Sequence, residues 1–261
     1  MTSGSARWWA LGAATVGFTA AVFLVPWHVA SAMTGLTWAG PSDLASSVGR
    51  ALVADWASAV PSPGGQASSA LTDPTRFWRW FHIAKAVLAV AALVSASVLV
   101  TRAWRARHAA STSAGRFAWA AVTAIGGLVA ALSVLVVVAN VQGAFAPMSS
   151  VLSFLPWSGR SPALVDAVTA LNASIGSGHP TSTATAIVRD FATYHAVVAV
   201  LLTLVTVLAG VATVRVTRAR RWRSVVVLAA TMTVFAVLTL ANTSTALAPA
   251  PALQSFLSGV A

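Results

Sequence analysis

The chain has 261 residues, 57% of them hydrophobic and only 8% charged, against about 25% charged in soluble domains, so composition excludes a water-soluble globular fold. Its formal net charge of +11 comes from sixteen cations set against five aspartates, with no glutamate. Cysteine does not occur, which excludes disulfides, thiolate metal sites and cysteine nucleophiles.

Five apolar runs, at about 8–25, 83–100, 117–139, 196–214 and 225–241, each approach the ~20 residues needed to cross a bilayer core, and none contains an acid. The predicted fold is all-α: a polytopic membrane helix bundle with five transmembrane helices and short amphipathic helices on the outer face. The first run has a second reading. Arg7, an apolar stretch and Ala30-Ser31-Ala32 resemble a secretory signal, but the run exceeds the usual 7–15 residues, roughly, of such a segment, and Pro26, Trp27 and His28 intervene. An uncleaved first helix is the preferred reading; cleavage would leave four spans.

After the first span, Leu44, Val48, Leu52, Trp56 and Val60 recur at helical spacing over 42–60, and Pro61 ends the stripe. SPGGQASS at 62–69 reads as a loop. Asp73-Pro74 reads as an N-cap with proline at the first helical position, starting a second helix that passes through an aromatic belt of Phe77, Trp78, Trp80 and Phe81. Ser161-Pro162 opens another amphipathic stretch, with Leu164, Val165, Val168, Leu171 and Ile175 before Gly176, and 176–185 reads as a loop. Ala92 with Ala96, and Gly127 with Ala131, offer small faces for close helix approach.

The arginines divide by side. Arg7, then Arg102, Arg105, Arg107 and Arg116, then Arg215, Arg218, Arg220, Arg221 and Arg223 all fall on one side of the alternating spans. By the positive-inside rule that side is cytoplasmic, which puts the N-terminus in the cytoplasm and the C-terminus outside. The opposite face holds Arg50, Arg76, Arg79, Arg160 and Arg189 together with all five aspartates, and is close to neutral. The basic balance is thus a topology signal, with anionic lipid headgroups as its partners; no nucleic-acid motif occurs and no nucleic-acid partner is expected. Fifteen arginines to one lysine, with abundant alanine and valine, point to a GC-rich bacterial genome and so to a bacterial plasma membrane.

The chain also repeats itself. RFWRWFHIAKAVL from Arg76 and RDFATYHAVVAVL from Arg189 share R-x4-(F/Y)-H-x3-A-V-L, and NVQGAFAPMSSVLSFL from Asn140 and NTSTALAPAPALQSFL from Asn242 share N-x3-A-x-A-P-x5-S-F-L. VTRAWRAR at Val100 and VTRARRWR at Val216 fall between these ends. We read 1–261 as a single membrane domain: 1–75 is the first helix and outer loop, 76–155 is repeat 1, and 189–257 is repeat 2. The copies share orientation, which relates them by a pseudo-two-fold axis along the membrane normal.

The polar residues of the repeats are the candidate site. His82 and His195, alone or with His28, are candidate ligands for haem, copper or zinc; the competing reading is a hydrogen bond from each histidine to backbone or to Asn140 and Asn242. Lys85, whose counterpart is Val198, is a candidate anion or lipid contact with Arg76 and Arg189; snorkelling toward headgroups, or pairing with Asp190, is the plainer reading. Asn140, Asn242, Pro147 and Pro249 read as structural, closing one helix and starting the next. No catalytic constellation is found. Three functions compete: a non-enzymatic structural or accessory subunit of a cell-envelope complex with membrane-protein partners, a metal- or haem-binding redox or transport protein, and a lipid or small-hydrophobe carrier.

Overall fold

The computed structural model describes residues 3–57, 69–155, 161–218 and 222–260. All ten elements among them are helices: α1 (Ser3–Leu24), α2 (Pro26–Thr34), α3 (Pro41–Ala57), α4 (Ser69–Ala109), α5 (Ser113–Phe145), α6 (Pro147–Leu152), α7 (Pro162–Gly176), α8 (Ser182–Arg218), α9 (Trp222–Leu247) and α10 (Pro249–Val260). Four are long and apolar enough to cross a membrane, over Ala70–Ala109, Ser113–Phe145, Ser182–Val211 and Leu228–Leu247. The pair Trp8–Leu24 and Pro26–Thr34 makes a fifth crossing if taken as one broken span. The protein is a multi-pass membrane protein.

The first span differs from a straight helix: it bends by 54° where Pro26 withholds a backbone donor and restarts the helix as its first residue. The restarted helix stops at Gly35, whose left-handed φ of 70° lets its amide reach the Ser31 carbonyl. The second helix also differs from expectation. It begins at Ser69, with Pro74 inside rather than at its start. Pro74 forfeits only the bond to the Ala70 carbonyl in the opening turn, while the Thr75 hydroxyl donates to the carbonyls of Leu71 (2.8 Å) and Thr72 (2.9 Å). The predicted loop at 176–185 shrinks to 177–181, and most of SPGGQASS, with Val60 and Pro61, lies outside the described residues.

The chain forms two compact units, one of Met1–Leu36 with Arg79–Ala144, the other of Thr37–Trp78 with Phe145–Ala261. In the first, the buried positions of α4 are small: Ala89, Ala92 and Ala96 are at most 1% exposed. The buried side of α5 is equally lean, with Gly126, Ser133 and Asn140 seven residues apart and Gly143 beyond them. Small residues let helices approach where lipid tails give no hydrophobic drive toward association. The close approach uses Gly126, which faces the Val100 methyl and the Ala96 carbonyl; Gly127 meets open space and Ala131 is exposed, so the Gly127–Ala131 face is not the packing face.

The second unit joins the α8–α9 pair to a cluster of short helices. Here the large side chains are buried: Leu44, Val48 and Leu52 of α3, Val168 and Leu171 of α7, and Leu253 and Leu257 of α10 are all 1% exposed or less. The Ser161 hydroxyl accepts the Leu164 amide at 3.3 Å and caps α7, as the Ser-Pro pair predicts. Asp190 on α8 accepts the Ser149 amide at 2.7 Å, satisfying a donor in the first turn of α6. The Thr183 hydroxyl donates to Asp55, joining α8 to α3.

Candidate functional site

Two histidine–asparagine pairs link the spans. His82 on α4 has Nδ1 2.8 Å from Oδ1 of Asn140 on α5, and His195 on α8 has Nδ1 2.8 Å from Oδ1 of Asn242 on α9. Each asparagine spends its amide nitrogen on the carbonyl four residues back, Val136 at 2.7 Å and Leu238 at 2.8 Å. That bond turns the carboxamide oxygen toward the ring. The histidine Nδ1 is therefore the donor to the asparagine oxygen in both pairs.

The surroundings of the pairs differ. His82 is only 8% exposed and lies against Gly143, three residues past Asn140, where a Cβ would collide with the imidazole. His195 is half-buried, and three residues past Asn242 stands Thr245, its hydroxyl tied to the Ala241 carbonyl at 3.0 Å. Edge-on aromatic rings flank both histidines: Phe81 with centroids 5.7 Å from His82, and Phe191 and Tyr194 at 4.6 and 5.4 Å from His195.

The other predicted site residues are scattered by comparison. His28 sits exposed on α2, and among the described residues no three histidine or aspartate side chains converge as a metal-ligand group. Lys85 is half-buried, with Nζ 5.2 Å from the Phe81 ring centroid and 5.9 Å from that of Phe23 on α1, a cation placed over aromatic faces. Arg76 pairs with Asp73 at 3.5 Å, but both side chains are about half exposed, so the pair contributes little. Arg189 is exposed on α8. Pro147 and Pro249 each open a helix directly after a bend, at Ala146 and Ala248.

Sequence reasoning missed Gly143 and Phe23. Glycine three residues after the asparagine, one helical turn along the same face, was the available signal for the first; nothing local marks the second.

These features define a helical membrane protein in which two histidine–asparagine hydrogen bonds link paired spans. The chain matches no family model, no curated protein and no solved structure.

Proposed function

We propose that the chain is a non-enzymatic integral membrane protein, a structural or accessory subunit of a bacterial cell-envelope complex, built from a first helix and two parallel hairpins of common origin. Its short helices lie on the outer face, its N-terminus in the cytoplasm and its C-terminus outside. One observation carries the reading: two histidine–asparagine hydrogen bonds tie the spans in pairs, while the spans keep apolar flanks. Only 28% of the most apolar stretch of α4, 11% of α5, 6% of α8 and none of α9 is buried within the protein. Such flanks suit neighbouring transmembrane helices as well as lipid.

A photocrosslinker at Leu240 of α9, 71% exposed, tests this. In native membranes it gives one discrete adduct with another membrane protein, and the complex survives mild detergent at fixed stoichiometry. A lone stable monomer with transport or redox activity of its own overturns the reading.

A second reading has one observation in its favour. A partner that fixes Nδ1–H of a histidine, as Asn242 does for His195, is the arrangement that orients imidazoles for metals and haem, whereas Nε2 of His82 lies against Gly143. A Soret band, or stoichiometric copper, in protein purified from its native membrane would establish it; featureless absorbance with no bound metal rejects it.

A further inference from the structure

Within the first unit, α1, α4 and α5 line two adjoining open cavities. One, of about 430 Å³, is lined by Gly12, Thr19, Phe23, Leu99 and Val129 among others. The other, of about 190 Å³, shares Thr19, Phe23 and Val129 and continues along Ala92, Leu132 and Ser133. The threonines of the lining are spent locally, Thr15 on the Leu11 carbonyl at 2.9 Å and Thr19 on the Thr15 carbonyl at 2.7 Å, which leaves a hydrocarbon-like wall. Ser133 differs: it is 93% buried, and its hydroxyl has no hydrogen-bond partner among the described residues.

At the Phe23 end stands Lys85, the only lysine of the chain. Its ammonium faces the rings of Phe23 and Phe81, and no carboxylate pairs with it among the described residues. A cation on a transmembrane helix costs a few kcal/mol, roughly, unless it is paired or snorkels, and two aromatic faces offset only part of that cost. The missing partner is an anion.

We infer that the groove between α1, α4 and α5 binds one anionic phospholipid, its phosphate on Lys85 and an acyl chain along Phe23, Val129 and Leu132. The match is of charge and of shape. A phosphate supplies the counter-ion that the chain does not, and the apolar lining continues from the cation as an acyl chain continues from its headgroup. Ser133 can then donate to an ester oxygen of the bound molecule. Phe23, 73% exposed, makes one open wall, so the groove is reached from the side, as a lipid would reach it.

The test is native mass spectrometry of the full chain, released from nanodiscs holding phosphatidylglycerol and phosphatidylcholine in equal amounts. One phosphatidylglycerol is retained per chain, in preference to phosphatidylcholine. Lys85→Gln lowers that retention about tenfold, the loss expected for one charge-assisted contact, and Lys85→Arg restores it. Gly12→Leu also lowers retention with Lys85 intact, because a Cβ at Gly12 meets nothing within 4 Å and the added side chain fills the groove without a clash. Equal retention of the two lipids, undiminished retention in Lys85→Gln, or a bound mass equal to a free fatty acid overturns the assignment.

Discussion

At the scale of single residues, the two histidine–asparagine pairs are interhelical hydrogen bonds in a medium that offers few competitors. Such bonds between membrane helices are worth about 0.6–2 kcal/mol. A double-mutant cycle with His82→Ala and Asn140→Ala in mild detergent therefore gives a coupling energy in that range, and strictly additive losses would show that the bond contributes nothing. Gly143 adds a sharper case. Gly143→Ala drives a methyl into the His82 ring and costs about 1–3 kcal/mol, whereas Gly127→Ala on the same helix meets open space and gains roughly 0.5–1 kcal/mol. Thermal unfolding of the two variants checks the contrast; equal effects would mean that the imidazole does not rest on that glycine. The pairing of histidine with asparagine was legible in the sequence, because both residues recur at matching places in the two similar stretches, at Arg76 and Asn140 and at Arg189 and Asn242. Lys85 over Phe23 was not, since the ring stands on a separate helix sixty-two residues earlier and nothing in the local pattern links the two.

At the scale of elements, the chain builds two kinds of packing. The short helices α3, α7 and α10 bury leucines and valines as a soluble core does, and Leu171→Ala loses about 2–5 kcal/mol there. Leu240→Ala, on the outward side of α9, shifts the unfolding temperature little. Equal destabilisation by the two substitutions would mean that α9 is covered by protein rather than by the surrounding medium. The amphipathic stripes of α3 and α7 were readable to within a few residues, down to the serine that caps α7. The start of α4 was not readable. Asp73-Pro74 satisfies every local rule for a helix N-terminus, yet Leu71, 1% exposed, gives the preceding turn a buried anchor that extends the helix back to Ser69. The links from Asp190 to Ser149 and from Asp55 to Thr183 were equally hidden, because they join residues 41 and 128 positions apart through the tertiary fold.

At the scale of the whole molecule, composition alone set the class, since a chain with 8% charged residues and several long apolar runs has only the membrane as a solvent. The bends at Ala146 and Ala248, each followed by a proline-initiated helix, accord with the repeated sequence around Asn140 and Asn242. The proposed parallel arrangement of the two hairpins requires both to enter and leave the membrane in the same sense. The absence of native cysteine makes this directly measurable by single-cysteine labelling with a membrane-impermeant thiol reagent in intact cells. Cysteine at Ser111, between α4 and α5, and at Ala219, between α8 and α9, is expected to label only after permeabilisation, while cysteine at Ser177, between α7 and α8, labels from outside. Opposite accessibility at positions 111 and 219 would contradict two hairpins of one orientation, and with them the proposed architecture.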